Sequence, residues 1–334
     1  MGFEAQINVA SADLGSQVIH CSDEFFAASK RMLQSSDPVW IKNKFDDHGK
    51  WMDGWETRRR RDGKNDYCFI KLGKKSVING FDIDTSNFTG NYAPGVSILG
   101  GCFEDGLSEE KIISQSNNGS WFDLLELQSL NGDSHNVFAS INSEEITHLK
   151  VTMHPDGGIA RLRAYGNICF DDRLYSVEKV NVIAASTGAR AVYANDEHFG
   201  KLQNILAEHT PLNMADGWET RRRREPGNDW GVIELARPAI ISGVIVDTKF
   251  FKGNFPDAFS ICADNTNVAS DKALITQSMF WPELIGRHKL EMDQEQVFTQ
   301  VDIKHQNPIT HIRLNIFPDG GISRLKLLGS FVKS

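Results

Sequence analysis

Short runs in which apolar and polar residues alternate dominate the chain, and helical periodicity is scarce. Residues 77–85, 96–99, 121–127, 137–141 and 148–153 read as strands. Residues 159–165 place Ile159, Arg161, Arg163 and Tyr165 on one face. Residues 68–72 form a further short strand that runs into Gly73, and an Asn/Gly/Pro-rich loop spans residues 86–95. Two segments predict a helix. Residues 23–33 follow Ser22 as cap and carry acidic residues in the first turn, and residues 196–206 follow Asn195. Many short strands with long loops and a short N-terminal helix predict an all-β protein, an antiparallel β-sandwich of jelly-roll type.

The pattern occurs twice. Residues 53–61 read DGWETRRRR, and residues 216–224 repeat all nine letters after 163 positions. At the same offset, Asp84-Thr85 returns as Asp247-Thr248 and Gly90-Asn91 as Gly253-Asn254. PDGGIARL at residues 155–162 returns as PDGGISRL at residues 318–325. Upstream the offset is 173, so the first copy carries about ten extra residues around positions 35–50. Two tandem sandwiches are expected at residues 8–166 and 180–330, joined by a linker at residues 167–179.

Composition narrows the functional classes. The 334 residues carry a net charge of −8, which argues against a nucleic-acid partner, because such a protein needs a basic footprint. No apolar run approaches the roughly 18 residues of a membrane helix. The N-terminus lacks the basic and apolar regions of a secretory signal. Five scattered cysteines, none in a CxxC pair, fit a reducing cytoplasm. No HExxH, His/Cys cluster, P-loop, GxSxG or dinucleotide fingerprint is present. No cofactor is identified, and dependence on a divalent metal is left open.

Three repeated blocks carry the candidate chemistry. DGWETRRRR begins with a turn, adds a large Trp anchor, and then places Glu beside four arginines. In an extended segment Arg58 and Arg60 face one side, Arg59 and Arg61 the other. The run is either a charged edge paired with Asp62, Asp66 and Glu56, or a guanidinium fork for a planar anion. PDGG is either a hairpin connection or a loop that presents Asp156 beside Arg161, its Gly pair admitting close backbone approach. The GN loop, with Asn91 and Asn254, is either an ordinary loop or a donor and acceptor pair for a urea-like group. His148 and His311 recur within strands and are as readily structural. His154 has Phe317 as its counterpart, so chemistry at His154 would make the two copies unequal.

The Asp-Gly followed by Thr57 and the closing strand over residues 159–166 resemble the discoidin-type, galactose-binding-like sandwich. The doubled DGWETRRRR, the DT…F.GN blocks and both PDGGI.RL blocks resemble the allantoicase family over residues 8–330. One departure is Tyr92, where that family's loop would have a histidine. The resemblance implies hydrolysis of allantoate to ureidoglycolate and urea in purine catabolism, by a homo-oligomer. Within that reading, Arg58, Asn91 and Arg161 are the substrate-binding candidates, matched by Arg221, Asn254 and Arg324. The acid/base candidates are Asp53, Glu56, Asp156 and His154, with Asp216, Glu219 and Asp319 in the second copy. Asp53 and Asp216 are equally suited to being turn residues. The alternative is a tandem lectin-like module that binds a carbohydrate or small anion without turnover.

Overall fold

The computed structural model describes residues 3, 6–104, 106–115, 120–267 and 270–333. The chain forms two compact units, Met1–Cys169 and Phe170–Ser334. Among the described residues no helix is long and apolar enough to cross a membrane.

The first unit is built from twelve strands: β1 (Ile7–Asn8), β2 (Gln17–Cys21), β3 (Phe45–Asp46), β4 (Gly49–Lys50), β5 (Trp55–Glu56), β6 (Asp66–Asp84), β7 (Gly95–Gly101), β8 (Trp121–Ser129), β9 (His135–Ala139), β10 (Glu145–Met153), β11 (Gly158–Ile159) and β12 (Arg161–Ile168). All pairings between these strands are antiparallel. The main sheet runs β1-β12-β6-β10-β7-β8, with β2 and β9 also paired to β6. The expected strands at residues 68–72 and 77–85 are one 19-residue strand, β6. Its first half pairs with β2 and β10, its second half with β9 and β12. Between Ile146↔Ser76 and His148↔Lys71 the ladder shifts register, and this bulge lets one strand serve both layers of a jelly-roll sandwich. Gly73 lies in the bulge, where a Cβ would sit 1.9 Å from the Leu14 carbonyl oxygen, so a side chain there would displace backbone.

Ile70, Phe81, Ile83, Val96, Ile98, Leu149, Val151 and Leu162 fill the space between the layers, each at most 1% exposed, while Phe69 points to the opposite face and packs with Ile112 and Trp121. Trp55 is fully buried and donates its indole N–H to the Asp23 carbonyl at 2.8 Å. The second unit repeats the topology around the long strand Asp229–Asp247, with Trp218 as its fully buried anchor.

The N-terminal helical element is shorter than its sequence predicts. Only Ser29–Leu33 closes, as a 3-10 turn, and the second copy does the same at Leu202–Leu206. The residues meant to start the helix hold tertiary partners instead. Ser22 donates to Asp66 at 2.8 Å, Asp23 accepts from the Arg58 backbone N–H and guanidinium, and Glu24 reaches forward to the Ser29 N–H at 2.9 Å. Among the described residues the α-helices are α1 (Glu109–Ser114) and α2 (Asp271–Gln277), one in each unit.

Candidate active site

Three sequence blocks meet at one end of the first unit. β5 pairs with β11, setting Glu56 opposite Gly158 and Trp55 opposite Ile159. Thr57 donates its backbone N–H to the Gly157 carbonyl at 3.0 Å, and the Gly157 N–H returns a bond to Thr57 Oγ1 at 3.2 Å. The GN loop closes on the same turn, with the Ala93 N–H on the Gly158 carbonyl at 3.1 Å. Gly157 has φ +136° and lies against this loop. A Cβ there would be 2.6 Å from the Ala93 nitrogen, which is the physical reason for glycine in the PDGG turn.

The junction leaves a cavity of about 370 Å³, lined on its polar side by Glu56, Arg59, Asn91 and Asp156 and on its apolar side by Phe26 and Tyr92. Asn91 donates to Glu56 Oε1 at 2.7 Å. Burial, chiefly, raises the Glu56 carboxyl above the ordinary carboxylate range, against the lowering effect of the Asn91 amide. Asp156, 5% exposed, accepts the Arg60 backbone N–H at 2.8 Å. Arg59 Nε stands 3.7 Å from the other Asp156 oxygen. The guanidinium of Arg59 is 71% exposed and free to take an anionic group.

The second unit keeps the same groups. Asn254 donates to Glu219, the Arg223 N–H donates to Asp319 at 2.7 Å, and Thr220 and Gly320 bond as Thr57 and Gly157 do. Gly320 has φ +135°. Tyr92 is replaced by Phe255 and His154 by Phe317.

Other expected site residues lie elsewhere. Arg161 is fully buried, and its donors go to the carbonyls of Ser36, Asp53, Ala160 and Asp37, to Gln34 and to the Asp53 carboxylate. It has no donor to spare for a ligand. Asp53 is consumed by Arg161 at 2.8 Å and the Val39 N–H at 3.0 Å. Asp216 likewise holds Arg324, the Leu212 N–H and His209. These aspartates therefore read as latches rather than acids or bases. Arg58 is clamped on Asp23 at 2.6 Å, as Arg221 is on Asp196 at 2.7 Å, and Arg58 is not among the cavity's lining residues.

His154 has Asn65 at 3.0 Å on Nδ1 and Ser97 at 2.8 Å on Nε2, and burial lowers its pKa. With the Asn65 amide donating to Nδ1, the ring is neutral and donates from Nε2, outside the cleft lining. His148 is buried within β10 and driven down to about 4, so it is a neutral core residue. Among the described residues no group of three or more His, Cys, Asp and Glu is placed to hold a metal.

The arginine that faces the cleft, Arg59, was missed because four identical letters rank equally. The signal lay in the acids: Arg60 is paired with Asp62 and Asp66 and Arg58 with Asp23, which leaves the intervening residue on the other side.

A model of the allantoicase repeat matches the chain twice, over residues 7–169 and 180–332. The chain is 46% identical over 328 residues to a protein named probable allantoicase 1 from Burkholderia mallei, spanning 98% of this chain and 95% of that one. It is 44% identical to a probable allantoicase from Photobacterium profundum, spanning 98% of each. Among solved structures, a crystal structure of allantoicase from Saccharomyces cerevisiae matches with a TM-score of 0.79 at 33% identity, over 97% of this chain and 92% of that chain. With its repeat matched twice and its fold shared along nearly the whole length, the chain belongs to the allantoicase family.

Proposed function

We infer that the chain hydrolyses allantoate to ureidoglycolate and urea, and that the cleft around Glu56 carries the reaction. The observation behind this reading is the convergence of Glu56, Arg59, Asn91 and Asp156 from three repeated blocks in a member of this family. Allantoate places a carboxylate and two ureido groups on one carbon, and each cleft residue suits one part of it. Arg59 takes the carboxylate through a planar charge-assisted fork. Asn91 and Glu56 grip the departing ureido group. Glu56, with its proton affinity raised by burial, is the general acid that protonates the leaving nitrogen.

As that C–N bond breaks, the lone pair of the other ureido nitrogen supports the carbon. Water then adds through its oxygen while Asp156, held by the Arg60 N–H, accepts the proton. The proton returns to Glu56 through solvent, so atoms and charge balance. Arg161 and Asp53 position the loops and touch no substrate. Glu219, Arg222, Asn254 and Asp319 perform the same roles in the second unit, giving two sites per chain. The reading also includes a homo-oligomer in the cytoplasm, where free cysteines stay reduced.

The decisive measurement is urea release from allantoate by the purified chain, against a heat-killed control and with or without added divalent cation. Urea above the control is expected. Absence of urea under both conditions overturns the reading in favour of a module that binds without turnover.

A further inference from the structure

The two units differ at a second place. In the first unit, Arg163 of β12 bridges Asp37 at 2.9 Å and Asp84 at 3.4 Å, and Arg161 spends its Nη2 hydrogens on Asp53, Asp37 and Gln34. In the second unit Lys326 takes the place of Arg163, and among the described residues its ion-pair partner is Glu295, at 3.7 Å. A cavity of about 330 Å³ opens there, with Arg324, Lys326, Asp247, Glu295 and His209 among its lining residues.

Two lining residues of this cavity have unspent polar capacity. Asp247 is 6% exposed, accepts only the Lys249 backbone N–H through Oδ1, and has no ion-pair partner among the described residues. In the first unit the equivalent carboxylate, Asp84, has Arg163. Arg324 is 2% exposed, and its Nη2 donates to Asp216 alone, so a second N–H is left over. Lys326 reaches only Glu295, at 3.7 Å. A buried carboxylate without a counter-ion is costly unless something donates to it, and a leftover guanidinium N–H beside it calls for an acceptor.

We propose that this cavity is a ligand site of the second unit for a small carboxylate that also carries N–H donors, an amino or ureido acid. The ligand's N–H groups bond Asp247, and its carboxylate meets Arg324 and Lys326. At about 30 Å³ per water, the space equals roughly ten waters, enough for a molecule of eight or nine heavy atoms. This site is separate from the cleft around Glu219, and the proposal does not rest on the catalytic reading.

The test is calorimetric titration of the full chain with ureidoacetate and with glycine, using acetate and urea as half-ligands. The titrations use the Arg59→Ala/Arg222→Ala protein, in which the catalytic clefts are disabled, and add Lys326→Met to it. One site per chain is expected for ureidoacetate or glycine, and which of the two binds identifies the class. Acetate and urea should bind at least tenfold more weakly, and Lys326→Met should weaken binding at least tenfold. Asp247→Asn should abolish binding without lowering the unfolding midpoint, because the carboxylate has no ion pair to lose. Absence of binding in the cleft-disabled protein, or equal affinity with Lys326→Met, overturns the proposal. Urea release by the unmutated chain is read separately, so failure of either idea is distinguishable.

Discussion

Four consecutive arginines are tolerable because each of three meets a different acid. Arg58 rests on Asp23, Arg60 on Asp62 and Asp66, and Arg59 stands near Asp156 at the cleft. Since the first two pairs are close and the third is loose, Arg59 keeps a guanidinium for an anion at the cleft, whereas Arg61, also exposed, is not among the cleft's lining residues. Glu56 shows the opposite economy. Its burial disfavours the charged form, so its folded-state pKa lies above the ordinary value. Any stability from burying the protonated carboxyl is present below the ordinary value and is lost as pH rises through the folded one. At neutral pH the charged group therefore opposes folding. Glu56→Gln, with Glu219→Gln alongside, should lower urea release by about a hundredfold or more. Glu56→Gln alone should melt no lower than the parent at pH 8, and the difference should shrink as pH falls through the carboxylate range. A lower melting point with activity retained would reverse the assignment.

At the scale of elements, caps and strands are decided by what the loops demand. Ser22 and Asp23 have the chemistry to start a helix but are drawn to Asp66 and Arg58, so helix appears only at Ser29–Leu33. β12 contributes alternating Arg161 and Arg163, which read from sequence as one polar face of a strand. In the fold Arg161 is an internal staple that ties the strand to residues 34–37 and to Asp53. Arg161→Met would leave the Asp53 carboxylate without its counter-ion, holding only the Val39 N–H, and several carbonyls without partners. Breaking one side of a buried pair of this kind costs about 3–5 kcal/mol. Guanidinium denaturation should show a loss of that order, and a change below about 1 kcal/mol would mean that the staple is dispensable.

Across the whole molecule, duplication has preserved one site and altered the other. Glu, Asn, Arg and Asp recur at the PDGG junction of both units, whereas the second unit has a cavity lined by Arg324 and Lys326 where the first has Arg163 bridging Asp37 and Asp84. If both clefts turn over independently, Arg59→Ala and Arg222→Ala should each leave roughly half of the urea release, and the double variant should fall more than tenfold, a barrier change of about 1.4 kcal/mol. The loss should appear mainly in KM, because the role proposed for the arginine is to hold the carboxylate, which does not react. A single substitution that removes all activity would show that one repeat carries the chemistry alone.

The sequence by itself determined the tandem period, the all-β character and the three blocks that form the cleft, because repetition and alternation are properties of residue order. It also singled out Glu56, Asn91 and Asp156. It ranked Arg58, Arg161 and Asp53 beside them because residue type cannot reveal a side chain's partner. Only the tertiary structure decided that. Thr57 and Gly157 are 100 positions apart, as are Thr220 and Gly320, and Arg161 and Asp53 are 108 apart. Such contacts form when the sandwich brings loops together. Folding then spends one carboxylate or guanidinium on the backbone and leaves its neighbour open to solvent and substrate.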